Sequence, residues 1–192
     1  WEAKRHVVAP FAIPEDWMRF RSMDWGSASP FSVGWWAIVQ DDYRCDCGVL
    51  PRGCMVRYRE WYGMRPGEPN VGLKLRAEEV GKGIAEREQG ESIAYGVLDP
   101  SAFKEDGGPS IAERIASGSG GKVWFRHADN TRVPARGAMG GWDQVRSRLV
   151  GDGDGRPMIV TFATCTDSIR TIPFLQHDPD RHRPRPGGLL AA

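Results

Sequence analysis

The sequence predicts an α/β domain built on a mixed sheet, antiparallel at one end and parallel at the other, with helices over its faces. Two patterns carry that expectation. Residues 18–62 hold three apolar or alternating runs joined by short links, the signature of an antiparallel meander. From residue 71 onward amphipathic runs alternate with short apolar ones, as βα units do when they feed a parallel sheet. A chain of 192 residues with 40% hydrophobic and 27% charged residues fits one domain with its own core.

The elements follow in order. Residues 1–16, with Pro10 and Pro14, read as an irregular lead-in or linker. Met18 to Asp24 alternates apolar and polar residues and predicts a first strand, broken by Gly26 to Pro30. Ser32 to Val39, rich in Trp and β-branched residues, predicts a second. Asp41 to Gly53 is turn-like, and Cys54 to Tyr62 predicts a third strand. Val71 to Gln89 places apolar residues at Val71, Leu75, Val80 and Ile84, an amphipathic helix weakened by Gly81 and Gly83. Ile93 to Leu98 is a short apolar strand. Ser110 with Glu113 three positions on forms a capping box that opens a helix. Lys122 to Phe125 is strand-like, Trp142 to Leu149 helical, and Pro157 to Ala163 a strongly apolar strand. Asp167 to Leu175 reads as a helix that meets Pro173. Residues 179–192 are Pro-, Gly- and Arg-rich and are expected to form a disordered tail.

Charge and composition narrow the function classes. With 26 basic and 25 acidic residues the net charge is +1, so any pull on nucleic acid must come from a local patch. Only Lys4, Lys74, Lys82, Lys104 and Lys122 are lysine; arginine, the better bidentate phosphate binder, supplies the rest, a bias that a GC-rich genome also produces. No stretch approaches the roughly 20 apolar residues that span a bilayer, so no membrane is expected. Four cysteines (Cys45, Cys47, Cys54, Cys165) suggest reduced thiols in a cytosolic protein, those at 45, 47 and 54 at the surface of a hairpin.

Asp24 and Asp99 are the strongest candidates for chemistry. Each ends an expected strand and precedes a chain-turning residue. If the two strands are parallel neighbours, both carboxylates stand at the same carboxyl-terminal edge, where open α/β sheets bind ligands. Two carboxylates held together repel, and a hard divalent cation resolves the repulsion. A pair of such ions about 4 Å apart activates water and stabilises the leaving oxygen of a phosphodiester. The competing reading makes both residues turn or helix-start aspartates. Asp129, after another expected strand, is either a further ligand or substrate contact, or an Asx-turn residue. Arg132, Arg136, Arg146 and Arg148 bracket it and suit a phosphate-tracking surface, with a solvated helix face as the ordinary alternative.

Other patterns carry less. Residues 118–122 look like a phosphate loop, but Ala116 and Val123 occupy positions that need Gly and Ser/Thr. Asp152 to Gly155 begins like a calcium loop, yet Ala163 stands where the closing Glu belongs. Cys45, Cys47 and Cys54 lack a fourth zinc ligand. His127, His177 and His182 have no triad spacing.

Several segments together resemble the nuclease domain of tailed-phage terminase large subunits. Arg21-Ser22-Met23-Asp24-Trp25-Gly26, with Ser29-Pro30-Phe31 behind it, resembles that family's first catalytic strand. Tyr58-Arg59-Glu60-Trp61-Tyr62 resembles its third strand and Gly96-Val97-Leu98-Asp99-Pro100-Ser101 its second catalytic strand. Residues 107–113, 128–130 and 141–146 continue the match in order, so that it covers roughly residues 1–178.

The resemblance implies an RNase H-like fold over residues 17–178. It also implies a Mg²⁺- or Mn²⁺-dependent endonuclease that cuts concatemeric double-stranded DNA at a two-metal site. Asp24 matches the acidic residue on the first strand and Asp99 the one on the fourth. The implied partners are double-stranded DNA, a preceding ATPase domain, the portal and the small terminase subunit, in the cytoplasm of a bacterial host. With no phosphate-loop motif and Trp1 in first place, the chain reads as a fragment of something longer.

The sequence departs from the family at its third carboxylate, expected on a C-terminal helix soon after the equivalent of residues 175–178. Here Asp178 and Asp180 stand among prolines. The tail reads as the product of a truncation or a shifted frame in a degraded prophage, with catalysis impaired. Two alternatives stay open: a non-catalytic prophage remnant that grips DNA or packaging partners, and an RNase H-like nuclease of resolvase or transposase type.

Overall fold

The computed structural model describes residues 1–68, 70–129 and 139–174. In chain order the elements are α1 (Ala3–His6), β1 (Val7–Val8), β2 (Arg19–Asp24), β3 (Ser32–Ile38), β4 (Tyr43–Cys45), β5 (Gly48–Leu50), β6 (Met55–Tyr62), α2 (Ala77–Arg87), β7 (Tyr95–Leu98), α3 (Ile111–Gly118), β8 (Arg126–His127), α4 (Gly141–Val150), β9 (Ile159–Phe162) and α5 (Thr166–Thr171). Short 3₁₀ turns follow β7 at Pro100–Phe103 and α5 at Ile172–Phe174.

A seven-stranded sheet runs in the order β1-β9-β6-β3-β2-β7-β8. β3 is antiparallel to both its neighbours, and the remaining pairs are parallel. This is the mixed sheet expected from the sequence: a meander of β2, β3 and β6, with parallel strands added on both sides. All of its strands except β3 therefore point their carboxyl ends to one edge.

Alternation along β2 divides the sheet into two faces. Arg21 and Met23 point to the face covered by α2 and α3, with Trp35 and Val33 of β3 opposite them in register. Val80, Ile84 and Ile115 pack there at 0% exposure. The capping box at the start of α3 forms as expected, with Ser110 Oγ accepting from the Glu113 amide and Glu113 accepting from the Ser110 amide. A second cluster fills the same face toward the amino ends of the parallel strands, with Trp17, Ala37, Val56, Val160 and Phe162 at its centre.

The buried charge on this face is Arg21, 2% exposed. Its Nη1 donates to both oxygens of Glu88, at 3.0 and 2.9 Å, and its Nη2 to the Trp124 carbonyl at 2.6 Å. The same carboxylate accepts from Trp35 Nε1 at 2.7 Å. Burial lowers the Arg21 pKa, and Glu88 opposes that shift. Gly96 makes room for the side chain: a Cβ there would stand 2.8 Å from Arg21 Nε and 2.8 Å from the Phe125 ring.

Five expectations need correction. Residues 1–16 are irregular only in part: residues 3–8 form α1 and β1, and in the irregular stretch that follows Phe11 and Ile13 pack on the second cluster. Asp41 to Gly53 contains the β4–β5 hairpin, drawn inward by Leu50 at 2% exposure. The helix expected from Val71 begins only at Ala77, because Asn70 and Lys74 take left-handed backbone conformations and Leu73 donates to the Gly63 carbonyl. Lys122 to Phe125 forms no strand; Val123 donates to Ser119 Oγ, the Trp124 carbonyl serves Arg21, and pairing with β7 starts at Arg126. The cysteines also differ: Cys45 and Cys47 are joined in a disulfide across the hairpin tip, and Cys54 is buried with Cys165. Burial pushes both free thiols up to about 12 and leaves them unreactive.

Replacing Glu88 tests the buried charge. Glu88→Ala leaves Arg21 unpaired and is expected to cost about 3–5 kcal/mol. Urea unfolding measures the loss; a cost under about 1 kcal/mol contradicts this account.

Candidate metal centre at the carboxyl edge of the sheet

β2 and β7 are parallel and adjacent, with Met23 opposite Leu98 in register. One step further along each strand stand Asp24 and Asp99, so the two candidates meet at neighbouring positions on one sheet edge. Met23 and Leu98 belong to the buried core. Alternation therefore turns both aspartates toward the opposite face, away from α2 and α3.

The two carboxyl groups are not equivalent. Partial burial, then the neighbouring Asp99 charge, push the Asp24 pKa up, while the Trp25 amide acts the other way. Asp99 is held down by hydrogen bonds from the Ser101 side chain and amide, with the Lys104 ammonium assisting. The amide bond measures 2.8 Å to Asp99 Oδ1, and Pro100 opens the 3₁₀ turn behind it. Asp99 is thus the helix-start residue of the competing reading.

Asp129 lies two residues beyond β8. The Ala128 amide donates to the Leu98 carbonyl at 2.8 Å, which sets Asp129 one position past the register neighbour of Asp99. Among the described residues no group of three His, Cys, Asp or Glu side chains forms a ready metal cluster. Asp178, Asp180, Arg132 and Arg136 lie outside the described residues.

Two arginines expected to track phosphate sit elsewhere. Arg148 donates to the carbonyls of Gly53 and Met158, at the amino ends of β6 and β9 and hence the opposite edge from Asp24. Arg146 is exposed and pairs with Asp143 on its own helix at 3.4 Å. Sequence reasoning missed Ser101 and Lys104, which act on Asp99. The run Asp99-Pro100-Ser101 carried a signal for the first, since Asp two residues before Ser forms an Asx-turn; the second becomes visible only once the 3₁₀ turn after β7 is in place.

Comparison with solved structures follows the same geometry. The chain superposes on the large terminase of a thermophilic bacteriophage, solved with ADP, at a TM-score of 0.62 and 17% identity over 94% of this chain and 37% of that one. It superposes on the P22 large terminase nuclease domain at a TM-score of 0.56 and 12% identity over 91% of this chain and 76% of that one. The fold is that of a terminase nuclease domain. The RNase H-like architecture implied by the sequence resemblance is therefore the one observed, and the chain spans about a third of the thermophilic phage's large terminase. No family model and no curated protein matches the sequence. Among the described residues no helix is long and apolar enough to cross a membrane.

The raised Asp24 pKa has a pH signature. Folded Asp24 holds its proton more tightly than the unfolded chain does, so folding takes up protons in that window and stability falls as pH rises through it. Asp24→Asn removes the penalty. The variant is expected to be more stable than the parent at pH 7, with the gap closing as pH falls below about 4, where the aspartate is protonated in both states. Urea unfolding across pH 3–8 reads the difference; a pH-independent gap rejects it.

Proposed function

We propose that the chain is the nuclease part of a phage or prophage DNA-packaging terminase large subunit, a metal-dependent endonuclease that cuts concatemeric double-stranded DNA. The observation that carries this reading is the placement of Asp24 and Asp99 at adjacent strand ends, on a sheet folded like the P22 nuclease domain. The sequence resemblance assigned the nuclease to residues 17–178, and the cut belongs to packaging in the host cytoplasm. Double-stranded DNA is the substrate, and the ATPase domain, portal and small subunit are the partners.

The donor set fits Mg²⁺ or Mn²⁺. Both ions prefer hard oxygen ligands and are commonly held by one or two carboxylates. Repulsion from Asp99 that raises the Asp24 pKa is repulsion a cation between them would relieve. When bound, a pair of such ions activates water and stabilises the leaving oxygen. The chain's own residues hold and orient. Asp24 and Asp99 are the two anchors, and Ser101 fixes one oxygen of Asp99. Asp129 is the next acidic side chain along the same edge and serves as a further ligand or contacts substrate through water. Arg132 and Arg136 remain the candidates to supply charge to the DNA backbone.

Nicking of supercoiled plasmid with Mn²⁺ tests the reading. The parent chain is expected to nick, and Asp24→Asn to lose at least about 100-fold. Mn²⁺ should also raise the melting temperature of the parent and not of Asp24→Asn. A parent that stays inert at high protein and Mn²⁺ concentration rejects catalysis. Salt-sensitive DNA binding indifferent to Asp24→Asn would then identify a non-catalytic remnant.

A further inference from the structure

We propose that Arg126 is a DNA-phosphate contact of this site, held over the Tyr95 ring on the same face of the sheet as Asp24. The proposal rests on reading the Asp24–Asp99 edge as a nuclease site.

Register places Arg126 on that face. Ser22 of β2 pairs with Val97 of β7, and Val97 with Arg126 of β8. Paired residues point to one side, and Asp24 lies two positions beyond Ser22 on the same side. Arg126 lies two residues before the register neighbour of Asp99. At the rise of a strand this is about 7 Å, the rise of about two nucleotides along one strand of a duplex. A guanidinium at that offset meets the backbone close to the phosphate at the carboxylates.

Packing fixes the side chain. The Arg126 guanidinium lies 3.9 Å over the Tyr95 ring centroid. Tyr95 stacks on Phe20 at 5.1 Å, Phe20 on Trp36 at 6.2 Å, and Arg57 lies over Trp36 at 5.3 Å. This ladder crosses β8, β7, β2, β3 and β6 and ends in a cation on each side. The two cations differ. Arg57 is half-buried and stands 3.8 Å from Glu60, a carboxylate that also caps the first amides of α5. Arg126 is exposed, and among the described residues no carboxylate forms an ion pair with it. Its charge is pre-positioned at low entropic cost and remains available to an anion. A phosphodiester, approaching along the edge that holds Asp24 and Asp99, is the anion that the position suits.

Duplex binding in EDTA, followed by fluorescence anisotropy between 50 and 200 mM salt, tests the contact apart from catalysis. Arg126→Gln should weaken binding and make the log–log salt slope shallower by about 0.9, so that the fourfold rise in salt costs the variant about 3.5-fold less affinity than the parent. Arg126→Lys should keep the slope while losing part of the affinity, and Tyr95→Leu should fall between parent and Arg126→Gln. In Mn²⁺-driven cleavage Arg126→Gln should raise KM and leave kcat within twofold. Melting temperatures confirm that each variant folds. An unchanged affinity and slope for Arg126→Gln overturns the proposal even if Asp24→Asn abolishes cleavage. A parent that binds DNA through Arg126 yet never cuts refutes the nuclease reading and leaves the contact standing; a parent that does not bind DNA refutes both.

Discussion

A guanidinium with 2% of its surface exposed must be neutralised where it stands, and Arg21 imposes that requirement at the centre of the sheet. Glu88, just past the end of α2, meets it and in the same stroke accepts from Trp35 on the next strand. The Trp124 carbonyl takes the other nitrogen and anchors the chain that leads into β8. One charge thus fixes how α2 lies on β2 and β3 and where the last parallel strand begins. Gly96 is the condition for this arrangement, since a side chain on β7 would occupy the space across which the arginine lies. The register that follows brings Met23 to Leu98, and with it Asp24 to Asp99.

The same strand therefore carries two electrostatic problems solved in different ways. On the inner face the fold supplies the counter-charge from its own sequence. On the outer face, three residues further on, it partly buries Asp24 and sets the Asp99 charge beside it, and so raises the Asp24 pKa rather than pairing it. Such an arrangement disfavours the folded chain and is retained where something from outside relieves it. Ser101 distributes the burden unevenly by keeping Asp99 ionised.

Much of this was readable from local pattern. The meander, the capping box at Ser110 and the two strand-end aspartates are encoded within a few residues of one another, where alternation and spacing speak directly. What stayed hidden depends on residues far apart. The delayed start of α2 follows from left-handed Asn70 and Lys74 and from the hold of Gly63 on Leu73, none of which a helical period reveals. The fate of Lys122 to Phe125 was decided by Arg21, far earlier in the chain. The disulfide between Cys45 and Cys47 depends on the register of the β4–β5 hairpin, which brings the two thiols together at its tip and which a polar, turn-like composition does not specify. Arg126 looks like any surface arginine until β7 is laid beside it.

The first residues of the chain bear on how the sheet ends. β1 is only two residues long, yet it pairs in parallel along β9. Just before it, His6 is 1% exposed and bonds through Nε2 to the Leu149 carbonyl at 2.9 Å, while Arg5 donates to the Val150 carbonyl. This small clasp shields the flank of an apolar strand that would otherwise offer open backbone amides and carbonyls to any passing chain. A version shortened to begin at residue 17 would keep Asp24 and Asp99 and still lose that protection, turning β9 into a template for self-association.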